Sequence, residues 1–137
     1  MQSGPVDRWG ASLLNYLLVF VGGGIGSMLR HTVNVVCAKC AGPGFPYGTL
    51  TVNITGSLVM GLFAGYFAFK GDATQSWRLF LMTGVLGGYT TFSAFSLDAV
   101  LLVERGQSGL ALVYVLASVM VAILALVGGL TLMRYLT

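Results

Sequence analysis

Charge is scarce in this sequence. Lys, Arg, Asp and Glu together make up 8% of its 137 residues, against 56% hydrophobic. A soluble domain carries roughly 25% charged residues, so no soluble fold of this size could cover itself. An integral membrane protein is expected. Histidine is nearly absent as well. His31 stands alone, which excludes most catalytic triads and histidine metal sites within one chain. It follows Arg30 at an expected helix end and reads as interfacial. There are two cysteines, in Cys37-Ala38-Lys39-Cys40. Zinc needs four ligands, no second pair exists, and the thioredoxin-like context of a redox motif is missing. They read as incidental loop cysteines, with a local disulfide as the alternative. Gly22-Gly23-Gly24-Ile25-Gly26 lacks the G-x-G-x-x-G spacing and the preceding strand of a nucleotide loop. With no P-loop and no paired carboxylates, nothing here proposes an enzyme. The net charge of +3 comes from cations scattered singly near helix ends, as interface anchors are. Nucleic acid is not an expected partner.

What is present is apolar sequence in four long segments: roughly Ser12 to Leu29, Gly48 to Phe69, Leu79 to Val103 and Leu110 to Met133. Each suits the ~20 residues that span a hydrocarbon core. The first runs on through Gly22–Gly26 to Arg30 without an A-x-A site, so it reads as a membrane helix rather than a signal peptide. The expected architecture is all-α: one transmembrane domain of four helices over residues 1–137, with a short N-terminal tail over 1–11.

Four spans put Arg8, Lys70, Arg78 and Arg134 on one side of the membrane and Arg30, Lys39 and Arg105 on the other. Orientation normally follows a clear Lys/Arg asymmetry, and this chain has almost none. Insertion both ways, followed by pairing into an antiparallel dual-topology homodimer, is therefore expected. Such a dimer would carry its cysteine pairs to opposite faces and could not assemble a zinc site from them. Gly22 and Gly26, Gly61 and Gly65, and Gly84 and Gly88 each stand four apart, the small-xxx-small spacing that lets helices approach closely.

The third segment contains a contradiction. Gly84–Asp98, GVLGGYTTFSAFSLD, places two adjacent glycines and two threonines near the middle of a span, where lipid demands an unbroken helix. Backbone freed from helical bonding at membrane depth survives only against protein or a water-lined cavity. The third helix is therefore expected to be broken near its middle, at an ion or substrate site.

Polar residues on the other spans support that expectation. Thr49, Asn53 and Ser57 recur every four residues and share a helix face. Tyr114 and Ser118 do the same on the fourth segment, where Ala122 ends the stripe; the third adds Thr91, Ser93 and Ser96. Isolated groups of this kind often only bond helices together, at about 0.6 kcal/mol each. Stripes on several helices beside a break favour a pore lining. Amide and hydroxyl groups can donate, and aromatic rings have a positive edge. Phe92 and Phe95, three apart, can present two edges along one side of a helix. Neutral donors and ring edges suit a small anion that must lose water yet also leave. Two such breaks meeting at the centre of an antiparallel dimer would bring freed carbonyls together, and these could hold a cation.

The motifs GGGIGSMLRH (22–31), FPYGTLTVNITGSLVMG (45–61) and GVLGGYTTFSAFSLD (84–98) closely resemble those of the bacterial fluoride channels of the Fluc/CrcB family. The order and spacing match, and the likeness covers nearly the whole chain from about Leu14. The resemblance implies a dual-topology antiparallel dimer with two fluoride pores and a structural sodium ion at its centre. By position, Asn53 resembles the pore asparagine, and Phe92 and Phe95 the paired pore phenylalanines. Gly87 and Thr90 match the residues whose backbone carbonyls hold sodium. Arg30 resembles the vestibule arginine, while Thr49, Tyr114 and Ser118 match polar pathway positions; Ser93, from the polar set of the third segment, is expected on the same pathway. The chain departs from the family pattern at Ala94, where threonine is usual, at Ala122, where some members have serine, and at Asp98, often glutamate.

The function so implied is passive export of cytoplasmic fluoride across a bacterial inner membrane. Hydrogen fluoride crosses lipid uncharged and ionises inside, and an open anion pathway lets a potential that is negative inside drive the ion out. Two rivals stand beside it. A small multidrug-type proton-coupled transporter would need a membrane-embedded carboxylate, for which Asp98 is the candidate. A structural membrane subunit would show no flux of its own.

Overall fold

The structure, a computed structural model, describes the backbone of residues 5–70 and 75–136, and side chains from 13 to 68 and from 75 to 136. Arg8 and the rest of the expected tail thus fall outside what is described at the side-chain level, as does Lys70. The described residues are helical throughout, apart from short connections. Among the described residues, four helices are long and apolar enough to cross a membrane: Leu13–Ala41, Tyr47–Ala68, Gln75–Glu104 and Ser108–Leu136.

The first helix corrects the sequence reading. It runs over Pro5–Ala41 and does not end near Leu29, so Arg30 and His31 lie within it, and Cys37 and Cys40 sit on helix rather than in a loop. The physical reason is local. No breaker stands between Gly26 and Gly42, and Thr32 returns its hydroxyl to the Met28 carbonyl at 3.0 Å, which covers a polar group without leaving the helix. The stop comes at Gly42, with φ +79°, a left-handed residue that only glycine adopts cheaply. Its N–H closes on the Ala38 carbonyl at 3.0 Å. Cys37 and Cys40 are both free thiols.

The second helix, Tyr47–Lys70, packs along the fourth, Ser108–Leu136. Glycine makes that contact possible: a Cβ built at Gly61 would fall on the Leu126 carbonyl, and one at Gly129 would lie 2.5 Å from the Leu58 carbonyl. The first helix packs in the same way against the opening half of the third span. There a Cβ at Gly26 would fall on the Val85 carbonyl, and the Cα atom of Gly84 stands 3.0 Å from a Cβ placed at Gly22. Backbone-to-backbone approach of this kind replaces the hydrophobic driving force that lipid cannot supply.

The third span is built in pieces. After a turn of α-helix at Gln75–Arg78, residues Leu79–Leu86 widen into a π-helix, whose end shows in the Gly87 N–H reaching the Met82 carbonyl five residues back. Gly87–Tyr89 is one last α-turn. Thr90 (φ −82°, ψ 158°) and Thr91 (φ −153°, ψ 123°) are extended, and helix resumes at Phe92–Glu104. Thr91 caps the new helix, its hydroxyl accepting from the Ala94 N–H at 3.2 Å. At the far end Gly106 (φ +73°) forms a Schellman closure, with Gly106 N–H on Val103 O and Gln107 N–H on Leu102 O, each 2.9 Å.

The core is small. Phe95, Leu102, Ala111 and Tyr114 cluster with Phe45, Leu50, Ala99 and Val115 around them. Most other large apolar side chains face outward, among them Phe20, Met28, Leu124 and Tyr135. In water such a surface would aggregate. In lipid it is the solvated face.

Candidate functional site

The interruption sits where three spans converge, and side chains from two of them hold it. Asn53, on the second helix, grips Thr91 from both sides of its peptide. The Thr91 N–H donates to Asn53 Oδ1 at 2.8 Å, and Asn53 Nδ2 donates to the Thr91 carbonyl at 2.9 Å. One amide thereby satisfies a donor and an acceptor that the extended backbone has withdrawn from helical pairing. From the first helix, Arg30 donates to the Thr90 carbonyl at 3.3 Å and Ser27 to the Gly88 carbonyl at 3.5 Å. Thr55 and the Tyr89 hydroxyl share a further bond at 3.0 Å.

Beside this knot lies a cavity of about 390 Å3 lined by Asn53, Ser57, Thr90, Thr91, Phe92, Phe95, Ser118 and Ala122, with Met60, Val119, Ile123 and Leu126 on its apolar wall. Its lining includes no charged side chain. Ser118 is buried, and its hydroxyl oxygen has no hydrogen-bond partner among the described residues. A buried hydroxyl without a partner costs about 1–3 kcal/mol, so a polar ligand at this spot would recover what the protein leaves unpaired.

A second cavity of about 340 Å3 lies toward the end of the bundle, between Asn34, Cys37, the 42–46 connection, Thr49, Asp98 and Arg105. Tyr114, wholly buried, donates its hydroxyl to Asp98 Oδ2 at 3.3 Å and stands one helical turn before Ser118. The rings follow the same line. Phe92 and Phe95 are 5.4 Å apart, Phe95 is 5.4 Å from Tyr114, and Phe45 meets Tyr114 edge-on at 5.5 Å.

The residues singled out in the sequence are distributed unevenly. Asn53, Thr90, Phe92, Phe95 and Ser118 share the larger cavity, and Thr49 borders the smaller one. Phe92 and Phe95 differ in burial, Phe92 being 78% exposed in the protomer and Phe95 8% exposed. Ser93 is exposed, pairs with the Thr91 hydroxyl at 3.3 Å and borders neither cavity. Arg30 is at neither cavity mouth; it reaches the interruption itself. Thr55, Ser27 and Phe45 escaped the sequence reading. Their signal is weak, since a threonine, a serine or a phenylalanine near a span end is ordinary in any membrane helix.

Gly87 and Thr90 belong to the interrupted backbone. The N–H groups that would serve the Gly87 carbonyl at 3₁₀ or α spacing are those of Thr90 and Thr91. The first goes to Leu86 O at 3.0 Å and the second to Asn53. The Thr90 carbonyl, turned out of the helix by its ψ of 158°, keeps a second lone pair beyond the one facing Arg30. Unwound carbonyls are the donor type that takes sodium in broken membrane helices, and this pair fits that requirement.

Fold and side chains together define a multi-pass helical membrane protein in which neutral polar groups line a cavity beside an interrupted span. Sequence comparison narrows that class. Residues 17–130 match the family described as CrcB-like protein, Camphor Resistance (CrcB), and the chain belongs to it. It is 62% identical over 124 residues to the fluoride-specific ion channel FluC 2 of Nitrobacter hamburgensis, which covers 90% of this chain and 100% of that protein. It is 63% identical, with the same coverage of both chains, to the fluoride-specific ion channel FluC of Rhodopseudomonas palustris. The FluC of Rhizobium meliloti is 53% identical over 118 residues, 86% of this chain and 94% of that one.

Proposed function

We propose that this chain is a fluoride-selective passive channel that exports cytoplasmic fluoride across the bacterial inner membrane. It is not an enzyme. Relatives with over 60% identity along their full length are named fluoride-specific ion channels. The observation that carries the reading in the molecule is the larger cavity: its lining is uncharged, includes amide and hydroxyl donors, and holds one buried hydroxyl with no partner among the described residues.

The working unit is a single four-helix domain paired as an antiparallel dual-topology homodimer in lipid, with the interruption of the third span at its centre. Fluoride is the transported ion. It passes Thr49, Tyr114, Ser118 and Asn53, exchanging water for hydroxyl and amide donors, with the edges of Phe92 and Phe95 completing its shell. Arg30 and Ser93 flank that track through the interrupted backbone. Because no ammonium or guanidinium lines the cavity, the ion is held weakly enough to leave. A structural sodium ion between the Gly87 and Thr90 carbonyls of the two copies would add positive charge at the centre and so favour an anion nearby.

The proton-coupled transporter reading has less support. Asp98 is engaged by the Tyr114 hydroxyl, and the charge-free cavity suits a cationic drug poorly. The decisive measurement is efflux from liposomes that hold the purified protein, triggered by a potassium ionophore. Fluoride release without chloride release is expected. Release of neither ion by folded, dimeric protein would overturn the channel reading and favour a structural subunit.

A further inference from the structure

We propose that Asn53 is the residue that keeps the Gly87 carbonyl available, so that one side chain serves both the pore wall and the central cation site. This rests on the sodium reading above. It follows from tracing donors through the interruption. In a continuous helix the Thr91 N–H would donate to the carbonyl four residues back, that of Gly87. Thr90 still obeys that rule, donating to Leu86 at 3.0 Å. Thr91 is the first residue to depart from it, and its N–H is taken by Asn53 Oδ1 at 2.8 Å. The same amide pins the Thr91 carbonyl at 2.9 Å, which fixes the peptide in its extended setting.

Without Asn53, the acceptor that restores helical pairing for the Thr91 N–H is the carbonyl four residues back, Gly87 O. Rewinding is then favoured by the cost of leaving a buried donor unpaired. The Gly87 carbonyl would be consumed by the helix. An asparagine amide has two N–H bonds, and the clamp uses one of them, so the other remains for the cavity. Asn53 is thus a positioning residue for the cation site as well as a donor at the pore.

Sodium binding and backbone conformation test this apart from flux. The purified dimer in lipid nanodiscs would be titrated with sodium in a background of a bulky organic cation, and the carbon shifts of labelled Thr90 and Thr91 recorded alongside. Asn53→Leu keeps the branched shape and loses both hydrogen bonds; Asn53→Ala is the smaller alternative should the leucine variant not assemble. Both are expected to weaken sodium binding by about tenfold or more and to move the Thr91 shifts from extended toward helical values. Asn53→Asp still accepts the Thr91 N–H and is expected to bind sodium within a few-fold of the wild-type protein. Undiminished sodium binding in the leucine or alanine variant, or a Thr91 that stays extended in it, overturns the proposal. A wild-type dimer that takes up no sodium would instead defeat the sodium reading, and the Thr91 shifts would still decide whether Asn53 holds the backbone.

Discussion

Ser118 and the two phenylalanines show how burial separates residues of similar chemistry. Ser118 carries a buried hydroxyl with no partner among the described residues. Its removal should cost the fold little and the ion much. Ser118→Ala is expected to lower fluoride efflux by about tenfold, the effect of losing one good hydrogen bond, with dimer yield unchanged on gel filtration. Phe95 is packed against Tyr114 inside the core, so Phe95→Ala should destabilise the protein by about 3 kcal/mol, read as a lower denaturation midpoint in detergent. Phe92 faces out of the protomer. Phe92→Ile should leave that midpoint near the wild-type value while impairing fluoride flux. Wild-type flux in Phe92→Ile and Asn53→Ala alike would remove these residues from the pathway.

The first helix meets the third span, and the second helix the fourth, by close backbone approach at glycine. Where the first helix meets the third span, a methyl group at Gly26 has no room because the Val85 carbonyl occupies its place. Overpacking of this kind costs about 1–3 kcal/mol. Gly26→Ala is expected to lower thermal stability in detergent and to loosen the contacts of Arg30 and Ser27 with the interruption, since both sit on the displaced helix. Gly24→Ala, with open space around its added carbon, is the matched substitution that should leave stability intact. The third span depends on its neighbours for a related reason. A π-segment followed by two extended residues cannot satisfy its own backbone, and the bonds from Asn53, Arg30 and Ser27 supply what it gives up.

For the molecule as a whole, an antiparallel dimer demands that copies insert in both orientations. Cys40 is exposed near the end of the first helix, which makes it a native reporter. In a Cys37→Ser background, a membrane-impermeant maleimide applied to intact cells should label about half of the Cys40 population. Labelling of nearly all or nearly none would refute dual topology. The outward-facing apolar side chains of every span are consistent with a protomer whose neighbours are lipid and a second copy, in keeping with its few charges.

The sequence alone determined the solvent of this protein, its family and the number of its spans. Those properties follow from composition and from apolar runs of sufficient length, which need no knowledge of distant contacts. Helical spacing put Asn53 and Ser57 on one face and singled out Ser118 on another, and all three line the larger cavity; their part in conduction is a matter for experiment. The sequence misjudged the end of the first helix, because polar side chains such as Arg30 and Thr32 resemble a membrane boundary when their hydrogen-bond partners are unknown. Only the tertiary structure decided which groups pair at the interruption. Asn53 meets a peptide 38 residues away and Arg30 a carbonyl 60 residues away. Such pairings are set by how closely glycine lets the helices approach, and that distance is written in no local pattern.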